Sequence, residues 1–186
     1  MENIQEITNY FENLKGIIDK IDKEEIQNAI DLLIKTRDEK KHIFIMGNGG
    51  SAATASHYAG DFNKGLSLNR EKRFRFICLN DNAPTVLSLA NDVNYESIFV
   101  EQLKNFLDKD DLIIAISGSG NSKNVINAVE YAHKNGNTVI GLTGFNGGKL
   151  IQLSDVKLHV PIDNMQIVED MHMVFDHLMM SVLYNQ

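Results

Sequence analysis

The chain has 186 residues, 43% hydrophobic and 23% charged, the balance of a globular protein long enough to bury roughly 70% of its unfolded surface. Its 25 acidic side chains outnumber 18 basic ones for a formal charge of −7, which repels a polyphosphate backbone and argues against direct nucleic-acid binding. The single cysteine, Cys78, excludes an internal disulfide, no apolar run nears the ~20 residues of a membrane span, and the acidic start does not read as a secretory signal, so a reducing cytoplasm is the expected location.

Apolar residues recur at helical spacing from Ile4 to about Lys40 (Ile4, Ile7, Phe11 and Leu14, later Ile26, Ile30 and Leu33), with a break near Asp22. This predicts two opening helices. After Lys41 the pattern changes to short apolar runs at His42–Met46, Phe74–Leu79, Leu112–Ile116, Thr138–Leu142 and Val156–Val160. Helices are predicted between and after them at Ser51–Phe62, Thr85–Asn91, Ser97–Leu107, Ser122–Asn135 and Gln166–Tyr184, with Gly136 as a C-terminal stop. Strands alternating with helices predict an α/β three-layer sandwich: a flavodoxin-like, five-stranded parallel sheet with two additional N-terminal helices. The whole reads as one domain, residues 1–40 forming a helical pair and 41–186 the α/β core. Cys78, in an apolar run, reads as a buried structural thiol.

Two glycine- and serine-containing loops stand out. Gly47-Asn48-Gly49-Gly50-Ser51 follows the first strand and opens a helix, where glycines let backbone approach an anion at a positive helix end. Ser117-Gly118-Ser119-Gly120-Asn121-Ser122 follows the third strand and offers three hydroxyls. In a flavodoxin-like strand order both loops border one crevice at the point where the order reverses. Neither contains a triphosphate-binding lysine motif or the full dinucleotide glycine spacing, so a sugar monophosphate is the leading ligand class. Such loops also occur for tight packing alone, and Ser122 could serve simply as a helix N-cap.

Strand-GNGGS-helix followed by strand-SxSGNS-helix resembles the SIS, or sugar isomerase, fold, and in particular the sedoheptulose 7-phosphate isomerases, also called phosphoheptose isomerases. The resemblance extends over nearly the whole chain, including Asn91-Asp92, Leu142-Thr143-Gly144 and Gly147-Gly148. It implies an aldose–ketose isomerase, a homotetramer with sites at subunit interfaces, a bound zinc ion, and a heptose 7-phosphate product used for surface polysaccharide such as lipopolysaccharide or capsule. By position, Asn48, Gly49, Gly50, Ser51, Asp61, Asn91, Asp92, Ser117, Gly118, Ser119, Ser122 and Glu169 would bind substrate. His57, Asp61, Glu169 and His177 would hold metal, with Asp61 and His177 catalytic. Three positions depart from the family's pattern: Asp61 for glutamate, Glu169 for glutamine and Gly118 for threonine. Gln166-Ile167 also replaces an aspartate-arginine pair.

The chemistry of these residues can be weighed separately from the resemblance. His57 and Asp61, four apart on a helix, share one face with Cβ atoms about 6 Å apart, a spacing that suits metal binding, acid/base work or a solvated ion pair. Glu169 and His177 are eight apart, a rise of about 12 Å and an offset of ~80°, so spacing alone favours pairing Glu169 with His172. The choice of His177 comes from the resemblance. An enediol mechanism needs a carbon base, assigned to Asp61, and a proton shuttle between oxygens, assigned to His177, with zinc polarising the carbonyl. The shorter side chain of Asp61 withdraws the carboxylate by roughly 1.5 Å relative to glutamate. Two alternatives stand beside this reading: isomerisation of a different phosphosugar, and a non-catalytic SIS protein that binds phosphosugar or associates with a protein such as the replication initiator.

Overall fold

The computed structural model describes residues 3–184, and its five parallel strands run in the order β2-β1-β3-β4-β5. The strands are β1 (Ile43–Met46), β2 (Phe76–Cys78), β3 (Leu112–Ser117), β4 (Thr138–Gly144) and β5 (Val156–Val160). Along β1 the side chains alternate between two cores. Ile43 and Ile45 join one with Tyr58, Phe62 and Phe175, while Phe44 and Met46 join the other with Phe99, Val125 and Val129. Every residue of β1 and β3 is buried, as a sheet covered on both faces requires.

On the first face lie α1 (Asn3–Ile18), α2 (Lys23–Asp38), α3 (Gly50–Gly60) and α8 (Met165–Tyr184). The other carries α4 (Ala83–Asp92), α5 (Val100–Phe106), α6 (Lys123–Lys134) and α7 (Gly148–Leu153). Asp22, where the opening periodicity breaks, caps α2 by accepting hydrogen bonds from the amides of Glu24 and Glu25. Gly136 has φ +77° just beyond α6, where a left-handed turn ends the helix. Cys78 is buried, and desolvation pushes its thiol up to about 12, in keeping with a structural role.

Three details differ from the sequence expectation. The expected helix Ser97–Leu107 is a 3-10 turn at Tyr95–Ser97 followed by α5. β2 is shorter than Phe74–Leu79, because the Phe74 amide donates to the Ser67 hydroxyl instead of to the sheet. α7 is an additional helix, at six residues too short to show a periodic pattern. The reversal in strand order falls between β1 and β3, which pair from Ile43 with Leu112 to Met46 with Ala115. The two glycine/serine loops therefore leave adjacent strands at the same edge of the sheet.

Candidate active site

Loop one is shaped by its own backbone. Gly49 precedes α3 with φ +55°, ψ −123°, a backbone state closed to ordinary side chains, and no side chain caps the helix. The first amides of α3 are thus left to an incoming anion. Asn80, just past β2, clamps the loop by donating to the Gly47 carbonyl at 2.8 Å and accepting from its amide at 3.2 Å. Asn48 bridges to the second loop's helix through a reciprocal amide pair with buried Asn124, 2.9 Å in each direction, and its Oδ1 also accepts from the Tyr95 hydroxyl at 2.8 Å.

Loop two is tied to the end of β4. The Gly144 amide donates to the Gly118 carbonyl at 2.8 Å, and the Leu150 amide to the Gly120 carbonyl at 2.9 Å. Ser122 occupies the N-cap of α6, yet its hydroxyl pairs with Ser117 Oγ at 3.1 Å and caps nothing. Both hydroxyls thus sit together at the start of α6 rather than capping it. A Cβ on Gly118 would lie 2.7 Å from Met165 Sδ, so methionine occupies the space a threonine side chain would need. A cavity of about 570 Å³ beside this loop is lined in part by Ser119, Asn121, Phe145 and Met165. Asn91 and Asp92 lie exposed at the end of α4, joined by a 2.7 Å hydrogen bond.

The second half of the site lies farther along α3. After Gly60 the helix widens into a π-turn, Asp61–Gly65, closed by the Leu66 amide donating to the Asp61 carbonyl. Such π-turns are rare and occur frequently at functional sites. Here Asp61 Oδ2 lies 3.3 Å from His57 Nε2 and 3.9 Å from His177 Nε2, and the two imidazole nitrogens are 3.3 Å apart. Asp176 completes the group, with Oδ2 3.8 Å from His57 Nε2. One donor atom from each of these four residues lies within 4.8 Å of all the others. A small cavity of about 290 Å³, lined by Asp61, His177, Met180, Ser181 and Tyr184, opens onto the cluster.

The electrostatics of this cluster fit a cation. Asp176 is fully buried, and neither carboxylate oxygen has a hydrogen-bond partner. Burial, and then the charge of Asp61, push its carboxyl up to about 7. Tyr58, buried beside it, donates its hydroxyl to the His172 carbonyl at 2.8 Å, and desolvation holds its phenol well above the usual range. Zinc bound by nitrogen and oxygen at about 2.0–2.1 Å in a tetrahedron has donor–donor distances of about 3.3–3.5 Å. The four shortest contacts, 3.3 to 3.9 Å, lie close to that range, and all four donors lie within 4.8 Å of one another.

Of the residues expected to hold metal, His57, Asp61 and His177 converge, while Glu169 lies elsewhere. Its carboxylate covers Gly50, 2.4 Å from where a Cβ on that glycine would sit, at the loop end of α3. His172 is completely buried with Nε2 3.3 Å from the Thr143 carbonyl, and desolvation lowers it to about 4, so it is a neutral packing residue. Sequence reasoning missed Asn80, Tyr95, Asn124 and Asp176. The first three support loops from distant elements, whereas Asp176 had a local signal: a second acid, two turns after Glu169, on the inward stripe of α8.

Comparison with known proteins adds an independent line. The SIS domain family model matches residues 9–144. A curated phosphoheptose isomerase from Aliarcobacter butzleri is 33% identical over 183 residues, 98% of this chain and 96% of that one. Among solved structures, a phosphoheptose isomerase from Francisella tularensis superposes with a TM-score of 0.91 at 25% identity, and one from Neisseria gonorrhoeae with 0.89 at 29%, both covering 100% of each chain.

Proposed function

We propose, from the premise that this chain belongs to the SIS domain family and is a sugar-phosphate isomerase, that it converts sedoheptulose 7-phosphate to the aldose heptose 7-phosphate through an enediol, with Asp61 and His177 moving the protons. The observation that carries this reading is the course of α3. It starts in the phosphate-type loop at Gly50 and brings His57, seven residues on, into the His/Asp cluster. Seven residues of helix rise about 10 Å, a span suited to an extended seven-carbon sugar held by a terminal phosphate with its reacting carbons at the far end.

In this arrangement the amides of Gly49, Gly50 and Ser51, together with Gly118 and the hydroxyls of Ser117, Ser119 and Ser122, hold the phosphate. Asn48, Asn91, Asp92 and Glu169 face the sugar hydroxyls. Asp61 turns Oδ2 towards the imidazoles, leaving Oδ1 to take the proton from C1 of the ketose and return it at C2. His177 carries the balancing proton between the oxygens on C1 and C2, so the product is an isomer with no atom gained or lost. His57, Asp61 and His177 would hold zinc, which when bound polarises the carbonyl oxygen.

Exposed apolar side chains on α1 (Ile4, Ile7, Phe11) and on α8 (Val174, Leu178, Val182) support assembly with further copies of the chain, as the tetramer. Among the described residues no helix is long and apolar enough to cross a membrane. A cytoplasmic enzyme supplying surface polysaccharide fits this picture. Met165 filling the space beside Gly118 favours one second reading, a phosphosugar of different length or stereochemistry. The deciding experiment incubates the purified protein with sedoheptulose 7-phosphate, with and without added zinc, and follows aldose formation by NMR. Turnover supports the proposal. No aldose under either condition rejects it, and turnover of a pentose or hexose phosphate instead selects the second reading.

A further inference from the structure

The geometry points to Asp176 as the fourth ligand of the metal site, in the role that the resemblance gives to Glu169. The inference rests on the metal site proposed above and concerns which carboxylate completes it. Glu169 and Asp176 are seven residues apart on α8, almost two full helical turns, so they share one stripe of the helix about 10 Å apart along its axis. That stripe runs beside α3 from its loop end to its cluster end. Glu169 stands at the first, against Gly50. Asp176 stands at the second, with Oδ2 3.8 Å from His57 Nε2.

Asp176 also lacks what a structural buried carboxylate has. Both its oxygens are without hydrogen-bond partners, the Tyr58 hydroxyl is committed to the His172 carbonyl, and the nearest other carboxylate, Asp61, repels it. Buried carboxylates are otherwise paired or coordinate a metal. Two imidazoles and two carboxylates form a donor set that suits zinc, and the two negative charges balance a divalent ion. With Asp176 completing the set, Glu169 is released to face the sugar at the phosphate loop.

The test compares full-length wild-type protein, Asp176→Asn and Glu169→Gln after metal removal with chelator. Zinc affinity is measured by competition with a chromophoric chelator, and cobalt(II) substitution reports coordination through its visible absorption. The wild type should bind one ion per chain with the strong bands of four-coordinate cobalt. Asp176→Asn should weaken zinc binding on the order of 100-fold and reduce those bands, whereas Glu169→Gln should stay within about threefold of wild type. Circular dichroism and denaturation of the metal-free proteins verify that both variants fold. Asp176→Asn folding normally and keeping wild-type affinity, or Glu169→Gln taking the loss instead, overturns this assignment and leaves the isomerase reading standing. A wild type that retains no ion overturns the metal site itself, while turnover of the heptulose phosphate is scored separately.

Discussion

The two ends of α3 are organised in opposite ways. At its start, the phosphate-type loops are held by the chain itself: Asn80 clamps Gly47, Asn124 and Tyr95 hold Asn48, and Ser117 pairs with Ser122. At its end, His57, Asp61, Asp176 and His177 converge with two buried oxygens left unpartnered. The first region is held in shape by the chain's own hydrogen bonds, whereas the second buries a carboxylate that a proton or a cation would relieve. The proposed function divides binding and chemistry along one helix, so substitutions at the two ends should have separable effects.

The largest effect tests that division directly. Asp61→Asn keeps the shape of the proposed carbon base and removes its basicity, so kcat should fall on the order of 1000-fold. KM for the phosphosugar should change little, because the loops proposed to hold the phosphate are untouched. Steady-state kinetics beside Ser117→Ala, which should mainly raise KM, reads both ends at once. Equal loss of kcat in both variants would remove the division.

Next comes the rigidity of the loop end. Gly120 has φ +67°, and a Cβ there would sit 1.9 Å from the Gly147 carbonyl oxygen, at the crossing of the second loop and the turn that opens α7. Gly120→Ala should cost about 4 kcal/mol in urea denaturation or prevent folding. A variant of wild-type stability would show that the loop gives way easily and is not preformed.

How much of each end was legible in the sequence follows from the same contrast. The loops are local, because strand, glycine turn and helix lie within a dozen residues, so Gly47–Ser51 and Ser117–Ser122 can be recognised from the order of residues alone. The sheet was legible through its short apolar runs separated by helical segments, and the break near Asp22 through the interrupted helical periodicity. The clamps were not. Asn80, Tyr95 and Asn124 look like ordinary polar residues until the topology sets β2 and α6 beside β1. The cluster was half legible: the i,i+4 pair of His57 and Asp61 shows on α3, but the π-turn that aims Asp61 and the depth of Asp176 depend on packing against α8. Glu169 and Asp176 occupy the same helical stripe, and only the position of α3 tells which end each one serves.

The unpartnered charge at the cluster end should be visible in the pH dependence of the metal-free protein. Burial lowers His172 from 6.5 to about 4, so between those values the unfolded chain binds a proton that the folded one refuses, and stability rises with pH by about 3 kcal/mol. Asp176 moves the other way, from 3.8 to about 7. The folded chain then keeps a proton that the unfolded one releases, and stability falls with rising pH by a similar amount. In the metal-free wild type these two contributions oppose each other between about pH 4 and 6.5. Asp176→Asn removes the falling contribution, so its urea midpoint should rise with pH relative to that of the wild type across that window. Parallel curves for the two proteins would show that Asp176 ionises freely and that the cluster end carries no stored electrostatic cost.

The smallest effect probes the loop end's outermost support. Tyr95 is exposed, and its hydroxyl donates to Asn48 Oδ1, which is already held by the Asn124 amide. Tyr95→Phe removes one of two donors to that oxygen without disturbing a core side chain, so stability should change by less than about 1 kcal/mol. Asn48 would retain its position through Asn124 but lose a restraint on the side that faces the crevice. KM for the phosphosugar should therefore rise about two- to fivefold at unchanged kcat, and zinc affinity, which the proposal places at the other end of α3, should not move. A fall in kcat or in zinc affinity from this distant hydroxyl would mean that the two ends act as one unit, with the order of the loops transmitted along α3 to the histidines.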